Sequence, residues 1–215
     1  MARWGNLRRQ SPFSDTYGHD RGTPVDRTYL DRYFAGHRDD VRGRVLEVKD
    51  RRYTTRFGDG RVTSSDVVDI DPDNERATIV ADLAAERSLP SAAFDCIIVT
   101  QTLQHVPHPP AALKSLWSAL APGGGVLLLT VPTIQRSDPP REGDLYRWTA
   151  AGLHVLVSEA CPDAQVEVVS YGNLTAAIAF LLGLGTQELR AADLNRSDPD
   201  HGVIACARVE RPRTG

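Results

Sequence analysis

The 215-residue sequence has few cysteines, no long apolar run and no excess of basic residues. Cys96, Cys161 and Cys206 lie far apart and form no C-x-x-C pair, which argues against a disulfide framework and a zinc site. No stretch reaches the ~18–20 apolar residues of a membrane-spanning helix. Polar residues follow Met1 closely, so we expect no signal peptide and a cytoplasmic location. A formal net charge of -3 disfavours a nucleic-acid partner, which would require a concentrated basic face.

Sequence motifs of several enzyme classes are also missing. There is no G-x-S-x-G nucleophile turn, no phosphate-binding Walker loop and no H-E-x-x-H zinc helix. Asp66, Asp69, Asp71 and Asp73 lie close together in the sequence. Side chains alternate between the two faces of a strand, so these four carboxylates are not expected to share a metal ion. We therefore predict no metal site.

The chain is expected to contain one domain after a flexible N-terminal arm. Residues 1–22 are polar, rich in Arg, Ser and Gly, and show no sustained period, which predicts the arm. Residues 23–215 are long enough for a single domain with its own core. Thr23 followed by Pro24 resembles a helix N-cap with proline at the first helical position. A helical pattern then continues over 25–38.

From residue 44 onward, short apolar runs alternate with helical patterns. Such alternation is typical of an α/β domain in which helices cover both faces of a mostly parallel sheet. Helices are predicted at 110–120 and 149–160, and the former ends at a Pro-Gly-Gly-Gly run. The predicted strands are 45–48, 67–70, 78–80, 94–99, 126–131, 166–169 and 203–209.

About thirty residues separate the last two predicted strands, and they include an apolar helix candidate at 174–184. This connection is longer than most loops in compact domains. An insert over about 172–200 is therefore predicted to form a lid or an interface, with simple packing against the core as the equally weighted alternative.

Residues 43–48, with the sequence G-R-V-L-E-V, resemble the first strand of class I S-adenosylmethionine-dependent methyltransferases. The resemblance covers about residues 40–170 and implies a single Rossmann-like, doubly wound, mostly parallel seven-stranded sheet. It also implies S-adenosylmethionine as the cofactor. Further matching segments follow in the family's order: V-D-I-D-P at 68–72, V-A-D-L at 80–83, the fourth-strand block within 89–106, L-A-P-G-G at 120–124 and Y-R-W-T at 146–149.

The resemblance also implies cofactor contacts at the carboxyl ends of the strands, where open parallel sheets bind their ligands. Asp69 is the preferred acceptor for the ribose hydroxyls, and Asp71 is the second choice or a cap of the following turn. Asp82 is placed to accept the adenine amine, with a helix N-cap as its alternative. The predicted cofactor contacts are thus Glu47, Lys49, Asp69, Asp71, Asp82 and Gln101.

The glycine-rich turn of the family is replaced in this sequence. Aligned on Glu47, its three glycines fall at Lys49, Arg51 and Tyr53. Glycine is used there because the chain turns tightly and approaches the ligand closely. Two interpretations follow. Either a rebuilt loop still binds the cofactor for methyl transfer, or the pocket is closed or repurposed. In the second case the chain is a cyclase or isomerase of natural-product biosynthesis, or a non-catalytic homodimeric binding partner.

The predicted substrate side comprises His105, Gln101, Tyr29 and Arg147. His105 and Gln101 follow the fourth strand, and histidine is the natural general base near neutral pH, although a packing role is also open. Tyr29 lies on a helix that the resemblance places across the active-site mouth. Arg147 is placed to pair with a substrate carboxylate. The leading hypothesis is methylation of a hydroxyl or amine on a sugar or natural product, with a small-molecule substrate and a possible homodimer.

Overall fold

The computed structural model describes residues 5–212 and contains one seven-stranded sheet in the order β3-β2-β1-β4-β5-β7-β6. Strands β1 to β5 run parallel, and β7 is antiparallel to both β5 and β6. The predicted Rossmann-like fold is therefore confirmed. The strands are β1 (Gly43–Val48), β2 (Val62–Asp69), β3 (Ile79–Val80), β4 (Cys96–Thr100), β5 (Val126–Pro132), β6 (Gln165–Tyr171) and β7 (Ile204–Glu210).

Helices cover both faces of the sheet and bury two separate apolar layers. On one face, Leu113 of α3 and Val157 of α4 join the first layer. On the other, Tyr33 of α1 and Phe180 of α5 join the second. The central strand β5 is buried along its whole length, which explains its continuous apolar run. The helices are α1 (Val25–Gly36), α2 (Arg52–Phe57), α3 (Pro109–Ala119), α4 (Ala150–Ala160), α5 (Leu174–Leu181) and α6 (Ala191–Asn195).

The start of α1 differs from the predicted N-cap. Pro24 occupies the cap position and Thr23 makes no side-chain cap to the helix. Instead, the Thr23 carbonyl accepts a hydrogen bond from the Thr186 amide at 2.8 Å, and Pro24 forms a β-bridge with Gly185. The prediction of a Thr23 cap is wrong because a long-range contact with the insert fixes the chain there.

The insert and the N-terminal segment pack together above the sheet. The Phe13 amide donates to the Leu182 carbonyl at 2.7 Å, and α5 packs against α1. Residues 5–22 of the predicted arm thus have a defined place, whereas residues 1–4 lie outside the described residues. The mobility of the arm stays a prediction. Leu174 and Leu181 remain exposed on α5, so the homodimer also stays a prediction. No described helix is both long and apolar enough to cross a membrane.

Candidate functional site

A cavity of about 390 Å³ lies at the carboxyl ends of β1 and β4. These neighbouring strands form the switch point of the sheet, since the chain continues from β1 toward β2 and from β4 toward β5. Ligands of open α/β sheets bind at such points. Lys49, Asp69 and Gln101 line the cavity from the sheet side, and Arg27 and Phe180 line it from the helices above.

The replaced glycine turn leads into the short helix α2, whose second and third amides are capped by Glu47. The carboxylate of Glu47 accepts hydrogen bonds from the Tyr53 amide at 2.9 Å, the Thr54 amide at 2.8 Å and the Thr54 hydroxyl at 2.7 Å. Burial raises the pKa of Glu47 to about 7, against the opposing effect of these hydrogen bonds. Glu47 is 1% exposed and lies beneath α2, so the structure does not bring it to the cavity lining.

The side chains at the three glycine positions leave the cavity open. Lys49 adopts a φ of 75°, the left-handed conformation that usually calls for glycine, so the turn survives without glycine. Arg51 points elsewhere and donates to the Ser65 carbonyl at 3.0 Å. Tyr53 lines the cavity but is buried and stacks on Phe34, with ring centroids 4.3 Å apart.

Asp69 is held in place at the cavity wall by the turn that follows β2. Its Oδ2 accepts from Asn74 Nδ2 at 2.6 Å, and its Oδ1 accepts from the Asp71 amide at 3.1 Å. The same Asn74 amide group donates to the Lys49 carbonyl at 2.9 Å and so joins the two loops. Each carboxylate oxygen can accept a second hydrogen bond, which leaves Asp69 able to accept ribose hydroxyls. Asn74 could not be identified from the sequence, because no local pattern links it to Asp69.

Besides Glu47, two further predicted cofactor residues lie outside the cavity lining. Asp71 accepts a hydrogen bond from the Asp73 amide at 2.9 Å, and Asp82 accepts one from the Ala84 amide at 2.8 Å. Both side chains are exposed and stabilise local turns. The contact of Asp71 agrees with its alternative as a cap of the turn. The helix N-cap alternative for Asp82 is wrong, because the chain that follows Asp82 forms a turn and not a helix. A cofactor role for either residue stays a prediction.

Two glutamines in the cavity wall keep unsatisfied polar atoms. Gln101 has a φ of 47°, and its Nε2 has no partner among the described residues. Gln104 is 1% exposed, and its Nε2 donates to the Gln101 carbonyl at 2.8 Å. Its Oε1 has no hydrogen-bond partner among residues 5–212. Buried polar groups are normally hydrogen-bonded, so these atoms are available to a bound molecule or to water. Gln101 was predicted from the sequence as a site residue, and Gln104 was not.

His105 faces an acidic group that sequence analysis did not identify. Its Nδ1 lies 2.9 Å from the Gly143 carbonyl, which can only accept, so Nδ1 carries the proton in the neutral ring. The Nε2 atom is then the basic nitrogen and lies 3.7 Å from Asp138 Oδ2. Asp138 also accepts from Gln135 Nε2 at 3.0 Å and from the Tyr17 hydroxyl. Burial, reinforced by Asp138, raises the pKa of Tyr17.

The structure does not bring Tyr29 or Arg147 to the cavity lining. Tyr29 is 1% exposed and stacks on Tyr171, with ring centroids 6.1 Å apart. Arg147 makes two hydrogen bonds of 2.6 Å to the carboxylate of Asp144, which already occupies its guanidinium. A substrate role for either residue stays a prediction. Residues 5–212 contain no group of three or more metal-ligating side chains.

Comparisons with known proteins agree with this architecture. A family model described as a methyltransferase domain matches residues 26–160. No curated protein matches the chain significantly. The N-methyltransferase NodS from Bradyrhizobium japonicum, solved with S-adenosyl-L-homocysteine, is similar at 15% identity and a TM-score of 0.56, over 96% of this chain and 95% of that chain.

Two further solved structures have the same fold at similarly low identity. An S-adenosylmethionine-dependent methyltransferase from Mesorhizobium loti is 16% identical with a TM-score of 0.54, over 80% of this chain and 93% of that chain. The (4+2)-cyclase SpnF is 15% identical with a TM-score of 0.53, over 84% of this chain and 81% of that chain. Because one fold serves several reactions, these likenesses show the architecture alone.

Proposed function

The chain belongs to the class I S-adenosylmethionine-dependent methyltransferase family, and we propose that it methylates a hydroxyl or amine of a small molecule such as a sugar or natural product. The observation that carries this proposal is the open cavity at the switch point, with Asp69, Gln101 and Gln104 in its wall. Its volume of about 390 Å³ lies within the usual range for small-molecule sites.

The residues of the cavity wall fit the nucleoside part of S-adenosylmethionine. Asp69 has acceptor capacity for the ribose hydroxyls, and the unsatisfied Gln101 Nε2 and Gln104 Oε1 offer a donor and an acceptor. The left-handed turn at Lys49 keeps the main chain at the cavity wall, as a glycine turn would. When bound, the cofactor supplies a methyl group on a cationic sulfur for in-line transfer.

His105 supports the proposal on the acceptor side. A hydroxyl must lose its proton as it attacks, and the Nε2 atom of His105 is the basic nitrogen at the cavity. The carbonyl of Gly143 holds the ring at Nδ1, and the carboxylate of Asp138 lies 3.7 Å from Nε2. Apart from this proton transfer, the enzyme mainly has to align the acceptor and exclude water.

The experiment is calorimetric titration of the folded protein with S-adenosyl-L-homocysteine, the demethylated cofactor. Asp69→Asn is expected to weaken binding by roughly 10- to 100-fold, since a hydrogen bond to a charged group contributes about 1.5–3 kcal/mol. Asp71→Asn is the matched control, because Asp71 lies in the same turn but outside the cavity lining. No heat at millimolar ligand, or a loss confined to Asp71→Asn, would contradict the proposal.

A second candidate is a reaction at the same cavity without methyl transfer, such as a cyclisation or isomerisation. The observation that favours it is that the amides of Tyr53, at the third glycine position, and of Thr54 are already bonded to Glu47. SpnF, a cyclase of the same fold, is consistent with it by analogy. Binding of S-adenosyl-L-homocysteine to the wild-type protein would disfavour this candidate.

A further inference from the structure

Two oppositely charged residues at the start of α1 line the cavity with unused hydrogen-bonding capacity. Asp26 is 7% exposed, and its Oδ2 lies 3.6 Å from Arg27 Nε, which is too long for a hydrogen bond. Asp26 Oδ1 and Arg27 Nε are both buried and have no hydrogen-bond partner among residues 5–212. Neither residue has an assigned role in the proposed methyl transfer.

This arrangement is costly unless a ligand completes it. A buried polar atom without a partner costs about 1–3 kcal/mol, and more when the group is charged. Burial raises the pKa of Asp26, whereas the neighbouring Arg27 lowers it. Asp26 also lies in the first turn of α1, where the helix dipole favours the negatively charged form of a carboxyl group. A donor for Asp26 and an acceptor for Arg27 would together satisfy both free atoms.

The charge of the pair restricts the ligand. A purely cationic group would be attracted by Asp26 and repelled by Arg27. A purely anionic group would be attracted by Arg27 and repelled by Asp26. A ligand with adjacent positive and negative groups matches both residues, because they lie side by side. We infer that the Asp26–Arg27 pair binds an α-amino-acid head group, with its ammonium on Asp26 and its carboxylate on Arg27.

The neighbouring loop supports this inference. Arg27 lies close enough to Tyr53, at the third glycine position, to lower its pKa against the effect of burial. The amides of Tyr53 and Thr54 are bonded to Glu47 and cannot receive a ligand. The inference rests on the proposed function in one respect: S-adenosylmethionine carries such a head group, and an amino-acid acceptor would carry the same chemistry.

Two ligands that differ only by the head group test the inference. We would titrate the protein with S-adenosyl-L-homocysteine and with 5′-deoxy-5′-methylthioadenosine, which lacks the amino-acid part. If the head group belongs to the cofactor, Asp26→Asn and Arg27→Gln are expected to weaken binding of the first ligand at least tenfold and of the second less than twofold. Asp31→Asn, on the same helix and paired with Arg56 at 2.8 Å, is the matched control and is expected to bind both ligands normally.

A second titration distinguishes the source of the head group. Glycine is added to the protein with and without saturating S-adenosyl-L-homocysteine. If the head group belongs to the acceptor, the saturated wild-type protein binds glycine and the two variants do not, while their affinity for S-adenosyl-L-homocysteine is unchanged. If it belongs to the cofactor, glycine binds only to the free protein, and the affinity loss of the variants appears in the first titration.

Two outcomes overturn the inference without touching the proposed function. One is unchanged affinity of both variants for S-adenosyl-L-homocysteine together with no glycine binding. The other is an equal loss of affinity for both nucleosides in folded variants, since the head group alone would then not be the feature recognised. Failure of the wild-type protein to bind either nucleoside refutes the proposed function instead. The glycine titration of the free protein then decides the inference by itself.

Discussion

Replacing Glu47 with glutamine is expected to change how stability depends on pH. The carboxyl group is buried beneath α2, and burial raises its pKa from an ordinary 4.5 to about 7. A group whose pKa is raised by folding stabilises the protein fully below its unfolded pKa and loses that contribution as the pH rises through the folded pKa. At about 1.4 kcal/mol per pKa unit, the contribution lost between about pH 4.5 and pH 7 is about 3 kcal/mol.

The assay is urea unfolding of wild-type protein and Glu47→Gln at several pH values from about 4 to about 8.5. Glutamine does not titrate, so the difference in unfolding free energy between the two proteins isolates the carboxyl group. That difference is expected to shift against the wild type by about 3 kcal/mol as the pH rises. Glu167→Gln, on an exposed position of β6, controls for removal of a carboxylate elsewhere. A difference that stays constant, or shifts in favour of the wild type, would refute the reasoning.

Two further substitutions test packing around the site. Tyr33→Phe removes a hydroxyl that donates to the Ala207 carbonyl at 2.8 Å in the core. We expect urea unfolding to show a decrease of about 1 kcal/mol in the free energy of unfolding. An unchanged free energy of unfolding would mean that this hydrogen bond does not stabilise the fold. Gly183→Ala adds a Cβ at a φ of 70°, 2.5 Å from the Ser14 carbonyl oxygen. It is expected to cost about 1–3 kcal/mol and to speed limited proteolysis within 5–22; an unchanged digestion pattern would contradict the packing described for this segment.

The fold could be predicted from the sequence because its signals are local and repeated. The buried run of β5 and the apolar stripe of α3 both appear directly in the residue order. The beginning of β2 at Val62 was predicted five residues too late, because its first half is polar and partly exposed. Only its pairing with β1 defines that part as a strand.

The candidate site was less predictable because its residues meet only in three dimensions. Asp69 and His105 could be predicted because they lie at or just after the carboxyl ends of strands, where open α/β sheets bind their ligands. Asp138 and Tyr17 are separated by 121 residues and come from segments without a periodic pattern. Gln104 could not be identified either, since its significance lies in a buried atom without a partner, which requires coordinates to recognise.

The altered glycine turn shows why residue identity alone is a weak guide to whether a pocket persists. What the turn requires is a left-handed backbone at its first position, and Lys49 adopts it at a cost of roughly 1–2 kcal/mol. The following main-chain amides need an acceptor, which Glu47 supplies from below. With those two requirements met, the side chains at the other two glycine positions do not fill the cavity. Arg51 points away from it, and Tyr53 packs against Phe34 of α1. If Asp26 and Arg27 bind the head group as we infer, the loss of the glycines moves part of the recognition of the ligand from loop amides to side chains that have unused hydrogen-bonding capacity.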